Sequence, residues 1–254
     1  MRKLYFLIII LPFISIAQKL EGQKLIDSLL VELPKMKEDT KKADLINNLA
    51  YAYFDINADK HLKYAKEGLE LSQKLNYSFG VLEANRNLGV YYLSIDKVKA
   101  KQYFDYVLQN AKDKTQLAKA YLGIGSMYLK ESNFPKSFDN YFKGLKLAEE
   151  AKNHPLYAKI LDKIGVVYLY SFDTKKAILY YFKALDYNKK HGNKEDNNII
   201  LQHIAFCYVN LEQYDKALKY INEAEKINNE LGLLKYKAAC KDLKGHVFYS
   251  QGKY

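Results

Sequence analysis

The chain has 254 residues and a mass of 29.5 kDa, with 49% hydrophobic and 27% charged residues. This much apolar side chain is enough for a folded core, so the composition excludes a wholly disordered protein. Twelve Gly and four Pro provide too few turn formers for an all-β sandwich and favour a helical fold. Cys207 and Cys240 are too few for a disulfide framework or a zinc cluster.

The formal net charge of +11 would suit a protein that binds nucleic acid or an anionic membrane surface. However, Arg2 and Arg86 are the two arginines among 40 cationic residues, so the guanidinium groups that read guanine or clamp phosphate are nearly missing. The lysines are dispersed among Asp and Glu. We interpret them as solvating helix faces and expect no nucleic-acid partner; a surface for anionic glycan or lipid is a weaker alternative.

The first 17 residues have the features of a secretory signal peptide. Arg2 and Lys3 give a positive start, an apolar run follows from Leu4 to Ile14, and Ser15 to Ala17 form a small-residue cleavage site. The apolar run would span about 16 Å as a helix, too short for a bilayer core of about 30 Å. We expect cleavage before Gln18, a periplasmic or secreted mature chain, and no membrane span in it. A retained N-terminal membrane anchor is the alternative.

A short motif recurs about every 40 residues. An aliphatic residue is followed directly by a small residue, and an aromatic residue comes three positions after the small one. The copies are Leu49-Ala50-Tyr53, Leu88-Gly89-Tyr92, Ile124-Gly125-Tyr128, Ile164-Gly165-Tyr168, Ile204-Ala205-Tyr208 and, with Lys244 in the aliphatic place, Gly245-Phe248. A repeat of this period is typical of a solenoid built from helix pairs.

Each copy continues with a second pattern, in which a small residue is followed four positions later by a large one and three positions after that by another small one. The sets are Ala100-Phe104-Val107, Ser137-Tyr141-Gly144, Ala177-Tyr181-Ala184, Ala217-Ile221-Ala224 and a degenerate first set, His61-Ala65-Gly68. These spacings place the side chains on one helical face. The small residues would let two helices approach closely while the large residue fills the space beside them.

The two patterns predict five helix pairs and one further helix. The pairs are 41–55 with 59–76, 81–95 with 97–112, 116–131 with 134–152, 156–171 with 174–190, and 196–211 with 214–230; the further helix is 234–250. Residues 18–40, with an amphipathic helix from 20 to 33, are expected to cap the first pair.

Several residues mark the predicted helix ends. Asn133 and Asp173 are predicted to cap the helices that follow them. Gly192 and Gly232 are predicted to end helices in the left-handed conformation. Pro155 is predicted to lie between two copies and to stop the preceding helix.

The segments NLGVYY, KIGVVYL and KAILYYFKAL resemble the tetratricopeptide repeat family, and the resemblance covers about residues 41–254. It implies an all-α, right-handed superhelical solenoid of about five and a half repeats, whose first helices line a concave groove that binds a protein or peptide. Residues 26–53 are also similar to the beginning of extracytoplasmic repeat domains in bacterial sensor kinases and transcription regulators.

The chain ends nine residues after Gly245, where a second helix of the sixth copy would begin. The predicted last helix carries Leu243, Val247 and Phe248 among other apolar residues, more than one neighbouring repeat should bury. Three interpretations are open: the chain is a truncated form of a longer protein, this end associates with another chain, or the helix is sufficient by itself.

No catalytic or metal-binding motif stands out. The five histidines have no i, i+4 partner, the glycines of 123–125 lie inside a predicted helix, and no GxSxG motif occurs. We therefore predict a protein that is not an enzyme and has neither a metal site nor a cofactor. Cys207 and Cys240 are predicted as buried thiols, with a disulfide between adjacent first helices as the alternative.

If the repeated motif faces inward, the residues six, three and two positions before its small residue, and one and four after it, should face the groove. The candidate binding residues are Asn47, Tyr51, Phe54, Arg86, Asn87, Lys119, Leu122, Ser126, Lys159, Lys163, Gln202, His203, Phe206, Asp242 and His246. Arg86, Lys119, Lys159 and Lys163 would form a positive centre. An extended peptide with acidic groups would suit it; alternatively, these lysines merely solvate a helix surface.

Two functional hypotheses follow. The first is an exported, non-enzymatic scaffold that binds a protein or peptide segment in its concave groove. The second is the input portion of a signalling protein, such as a histidine kinase or a transcription regulator, whose output domain is missing from the chain.

Overall fold

The computed structural model describes residue 23 and residues 25–191, 194–232 and 234–252. The predicted signal peptide and the predicted helix end at Gly192 lie outside these residues. The described chain is built from helices, with no β-strand in these ranges. It divides into two compact units: the N-terminal unit is Glu21–Leu156, and the C-terminal unit contains Tyr157–Tyr254. Each unit is described by itself.

The N-terminal unit begins with a helical run from residue 25 to 32, named α1, and a 3-10 turn at Leu33–Lys35. Three helix pairs follow: α2 (Thr40–Ala52) with α3 (Ala58–Lys74), α4 (Ser78–Tyr92) with α5 (Lys97–Asn110), and α6 (Lys114–Lys130) with α7 (Phe134–Glu150). Consecutive helices pack together, and α4 also contacts α2 and α6. Ile26 of α1 is fully buried in the core of the first pair.

The C-terminal unit continues the same alternation. Its helices are α8 (His154–Tyr170, whose first residues precede the unit boundary), α9 (Thr174–His191), α10 (Lys194–Asn210), α11 (Tyr214–Leu231) and α12 (Leu234–Ser250). We call α2, α4, α6, α8 and α10 first helices, and α3, α5, α7, α9 and α11 second helices. The predicted helix pairs are confirmed, and each of their predicted ends lies within three residues of the observed one.

The small residues of the motif lie where two helices of a pair touch. A Cβ atom on Gly125 would lie 2.5 Å from the ring of Tyr141, and one on Gly165 would lie 2.6 Å from the ring of Tyr181. Both rings are fully buried, so they fill the space that the glycines leave. Gly245 differs from this pattern, because a Cβ atom there would meet nothing within 4 Å.

A second repeated contact involves the motif tyrosine of each first helix. A lysine ammonium lies over its ring, 5.1 to 5.5 Å from the ring centroid, in the pairs Tyr53–Lys60, Tyr92–Lys99, Tyr128–Lys136, Tyr168–Lys176 and Tyr208–Lys216. A second-helix tyrosine stacks on the same ring at 5.2 to 5.7 Å in the pairs Tyr53–Tyr64, Tyr92–Tyr103, Tyr168–Tyr180 and Tyr208–Tyr220. In the third pair Asn140 takes the place of that tyrosine.

The predicted helix caps are confirmed where the structure describes them. Asn133 Oδ1 accepts the backbone N–H of Lys136 at 3.3 Å, and Asp173 Oδ1 accepts that of Lys176 at 3.0 Å. Gly232 ends α11 with a φ of 69°. These contacts satisfy backbone groups that the helix itself leaves without partners.

The predicted position of Pro155 between two helices is wrong. Pro155 lies in the first turn of α8, and Asn153 Oδ1 caps this turn by accepting the backbone N–H of Leu156 at 3.1 Å. Proline fits there because its missing N–H has no acceptor in a first turn.

Five of the described connections between helices use a residue other than glycine in the left-handed conformation. The residues with positive φ are Asn76, Ser132, Lys152, Phe172 and Glu212, with values between 51° and 64°. Phe172 is notable because its side chain is 83% exposed. In the part of the chain that the structure describes, no helix has both the length and the hydropathy required to cross a bilayer.

Candidate binding surface on the first helices

In the N-terminal unit, an exposed aromatic ring lies beside an arginine, and a second exposed ring follows it in the chain. Tyr51 on α2 is 48% exposed, and Phe54 in the following turn is 42% exposed. The guanidinium carbon of Arg86 on α4 lies 5.4 Å from the centroid of the Tyr51 ring. Two neighbouring first helices thus bring an aromatic and a cationic side chain into contact.

The cations of this surface are paired with an acid that we did not include among the candidates. Arg86 Nε donates to Glu83 Oε2 at 3.0 Å, and Lys119 Nζ of α6 donates to Glu83 Oε1 at 2.9 Å. The Glu83 side chain is 12% exposed. Burial by itself would raise the pKa of this carboxyl, but the charges of Arg86 and Lys119 outweigh burial and hold the pKa below its ordinary value. Glu83 is therefore ionised at neutral pH.

Asn47 and Asn87 are candidates that the structure places inside the protein. Their exposed fractions are 4% and 0%. Asn47 Nδ2 donates to the carbonyl of Gly80 at 3.1 Å, and Asn87 Nδ2 donates to the carbonyl of Asn47 at 2.9 Å. Asn87 Oδ1 also accepts from Arg86 Nη2 at 2.9 Å. These amides join α2 to α4 and fix Arg86, so we do not carry them into the binding surface.

Ser126 and Leu122 lie on α6, and both are half-buried. The Ser126 hydroxyl donates to the carbonyl of Leu122 at 2.9 Å and lies 3.0 Å from the hydroxyl of Tyr141. One of these hydrogen bonds lies within α6 and the other joins α6 to α7.

The C-terminal unit contains a similar pairing of a buried acid with bases. Asp162 Oδ1 on α8 lies 2.6 Å from His203 Nδ1 on α10, and Asp162 Oδ2 lies 3.4 Å from Lys163 Nζ. The Asp162 side chain is 8% exposed. Burial by itself would raise the pKa of this carboxyl, but His203 and Lys163 lower it to about 2. The structure thus brings the candidates Lys163 and His203 together around Asp162.

The remaining candidates of this unit are spread over α8, α10 and α12. Gln202 is 8% exposed and donates to Asn198, which in turn donates to the carbonyl of Ala224 at 3.0 Å. Gln202 is therefore part of a buried amide network between α10 and α11. The side chain of Lys159 is exposed, and those of Phe206, Asp242 and His246 are half-buried.

Both cysteines are buried free thiols in the C-terminal unit. Burial raises the pKa of Cys207 and of Cys240 to about 12. A thiol with such a pKa is almost fully protonated at neutral pH and therefore reacts slowly. Among the described side chains, no group of three His, Cys, Asp or Glu residues is arranged to hold a metal ion.

The regular alternation of first and second helices, each packed on the next within its unit, is that of a helical repeat protein. The model of the tetratricopeptide repeat family matches residues 116–190. These residues belong to that family, and the helix pairs on either side repeat the same fold. The resemblance inferred from the repeated motif is confirmed. No curated protein sequence matches the chain significantly.

Solved structures show the same fold at low sequence identity. BtubC (BKLC) from P. vanneervenii has a TM-score of 0.58 and 15% identity, covering 85% of this chain and 91% of that chain. The STAND protein PH0952 from Pyrococcus horikoshii, which has a tetratricopeptide repeat sensor, has a TM-score of 0.60 and 21% identity, covering 92% of this chain and 37% of that chain. A Rap protein complexed with competence and sporulation factor has a TM-score of 0.60 and 15% identity, covering 95% of this chain and 69% of that chain.

Proposed function

We propose that the chain is a non-enzymatic scaffold that binds a protein or peptide segment through its first helices. The observation that carries this proposal is the exposed ring of Tyr51 against the fixed guanidinium of Arg86, with a second exposed ring, Phe54, three residues further along the chain. Tyrosine and arginine are the residues that most often contribute binding energy in protein interfaces. The similar Rap protein was solved in complex with competence and sporulation factor, which supports a binding role for this fold.

A matched pair of double variants tests this surface. Tyr51→Ala with Phe54→Ala removes the two exposed rings of the first-helix surface. Tyr106→Ala with Phe142→Ala removes a tyrosine and a phenylalanine that are each 41% exposed on second helices. The mature chain and both variants would be used to capture partners from an envelope extract, with quantification by mass spectrometry. We expect the first double variant to lose capture by about tenfold or more, and the control to retain it.

Equal capture by all three proteins, or an equal loss in both variants, would contradict a role for the first-helix surface. Circular dichroism of each variant would verify that the helices are intact. The positive centre inferred from the sequence favours an acidic segment, but Glu83 and Asp162 pair with several of its bases. The proposal therefore specifies a protein or peptide segment without assigning its charge.

We also propose that the chain is exported. The support is the sequence of residues 1–17, which lie outside the described residues. A fusion of residues 1–30 to an alkaline phosphatase that is active only outside the cytoplasm should be active, and the mature N-terminus should be Gln18. An inactive fusion, or an uncleaved N-terminus in the cytoplasm, would refute export.

A second candidate function is the input portion of a signalling protein. The observation in its favour is the structural likeness to PH0952, a signal transduction ATPase in which a tetratricopeptide repeat region is the sensor. This chain covers 37% of that protein. Stable co-purification with a separately encoded kinase or DNA-binding protein would support this candidate, whereas capture of other envelope proteins alone would favour the scaffold.

A further inference from the structure

We infer that Glu83 sets the charge selectivity of the surface formed by Tyr51, Phe54, Arg86 and Lys119. Its own carboxylate holds the position between Arg86 and Lys119 that the carboxylate of a partner would otherwise take. The surface then selects an uncharged segment with aromatic or aliphatic side chains. This inference rests on the proposed function and names the chemistry of its partner.

The geometry gives each oxygen of Glu83 its own cation. Oε2 accepts from Arg86 at 3.0 Å and Oε1 accepts from Lys119 at 2.9 Å, so the carboxylate bridges α4 and α6. An incoming carboxylate binds arginine best through two parallel N–H donors. Here Nε already donates to Glu83, and Nη2 donates to the buried Asn87. Nε and Nη2 are the two donors on one side of the guanidinium that would bind such a carboxylate, and both already donate to groups of the protein.

The surroundings also oppose a second negative charge. Glu83 is 12% exposed and Arg86 is 14% exposed as side chains, so water screens their charges poorly. An acidic side chain that approached Arg86 or Lys119 would come close to the Glu83 carboxylate and be repelled by it. Glu83 balances one of the two positive charges and uses the side-on donors of Arg86, so the surface attracts an acidic peptide less than its lysine and arginine residues suggest in the sequence.

The C-terminal unit supports this interpretation with an independent example. Asp162 lies on a first helix, α8, and is paired both with a base on the same helix and with His203 on the next first helix. Glu83 has the same relation to Arg86 and Lys119. Both units thus pair first-helix bases with a buried acid. In the N-terminal unit, the rings of Tyr51 and Phe54 are 48% and 42% exposed, so a partner can contact them.

The first experiment uses a library of octapeptides composed of Ala, Ser, Leu, Phe, Lys and Glu. It compares the wild-type chain with Glu83→Gln, which keeps the shape of the side chain and removes its charge. The control is Glu67→Gln, an acid on α3 that is 42% exposed and lies 3.8 Å from Lys63. We expect peptides bound by the wild type and the control to be depleted in Glu and enriched in Leu and Phe.

For Glu83→Gln, the frequency of Glu in bound peptides should rise by about tenfold, which corresponds to the removal of one unfavourable charge contact. Enrichment of Glu in wild-type ligands would overturn the inference, as would an unchanged preference in Glu83→Gln. If the wild type bound no peptide in the library, the result would count against the proposed function, and the second experiment would decide the inference.

The second experiment is chemical rescue with acetate, which needs no partner. Glu83→Ala leaves Arg86 and Lys119 around an unoccupied carboxylate position. At constant ionic strength, replacing chloride by acetate should raise the thermal midpoint of this variant in a saturable way, because acetate binds the folded state. Neither the wild type nor Glu67→Ala should respond. No response of Glu83→Ala would show that the two cations do not form a carboxylate site and would refute the inference even if peptides bind.

Discussion

Two glycines in the same unit should respond differently to the same substitution. Gly165 lies inside α8 and Gly245 lies inside α12, so changing either to alanine gains about 1 kcal/mol of helix propensity. A methyl group on Gly165 would lie 2.6 Å from Cε1 and 2.8 Å from Cδ1 of Tyr181, whereas one on Gly245 would meet no atom within 4 Å. The two variants therefore differ in packing alone.

The size of the difference follows from the position of Tyr181. Its ring is fully buried, and ordinary contact would require it to move by about 1 Å into neighbours that are themselves close-packed. Overpacking of this kind costs about 1 to 3 kcal/mol. Because the gain in propensity cancels between the variants, Gly165→Ala should be less stable than Gly245→Ala by about 1 to 3 kcal/mol, and Gly245→Ala should be more stable than the wild type.

Urea denaturation followed by circular dichroism at 222 nm would measure both free energies of unfolding. The reaction of Cys207 and Cys240 with a thiol reagent gives a second signal that is specific for the C-terminal unit, because both thiols are buried there. Equal stabilities of Gly165→Ala and Gly245→Ala, within about 0.5 kcal/mol, would refute the close approach of α8 to α9 through Gly165.

Three further predictions concern contacts that repeat along the chain, and each can be measured by the same denaturation. Asn140→Tyr should add the missing ring stack to Tyr128 and stabilise the protein by about 0.5 to 1.5 kcal/mol, whereas a loss of stability would mean that the third pair has no room for the ring. Phe172→Gly should stabilise the protein by about 1 kcal/mol, because a left-handed backbone conformation strains residues other than glycine and the exposed Phe172 side chain contributes little packing. Glu212→Gly, at the equivalent left-handed position, should raise the free energy of unfolding by a similar amount. Because the pKa of Asp162 is lowered to about 2, this carboxylate contributes stability above its unfolded pKa of about 4 and loses it as the pH falls towards 2. Asp162→Asn should therefore reduce the acid dependence of unfolding between about pH 4 and 2, and an unchanged pH profile would contradict the pairing with His203.

The helices could be predicted from the sequence because the constraints on them are local and repeated. The glycine of each motif must face a large residue of the second helix, as Gly125 faces Tyr141, and this requirement fixes both the period and the phase of the two helices. Gly245 differs because no second helix follows α12 in the described residues, so no ring fills the space beside it. A repeated sequence pattern shows where a contact is possible, but it does not show that the partner is present.

The binding surface was less predictable, because the repeat positions do not reveal how side chains pair. The rule that selected Arg86 and Lys119 as groove residues applies equally to Glu83, which lies six positions before Gly89, and to Asp162, three before Gly165. Only the structure shows that these acids are buried between the bases. Burial of Asn87 likewise depends on a backbone carbonyl of another helix, that of Asn47, and no local pattern indicates it.

Several lysines make contacts inside the protein, and these contacts explain why the net charge of +11 is a poor guide to a possible partner. On the second helices, five lysines lie over the motif tyrosines and cover aromatic rings that would otherwise face water. On the first helices, Lys119 and Lys163 are paired with buried acids. The net charge by itself suggests that these lysines together attract anions. In the structure, each of them contacts a group within its own helix pair or on a neighbouring first helix. In the proposed binding surface, we therefore expect the exposed rings of Tyr51 and Phe54, more than the net charge, to determine which partner binds.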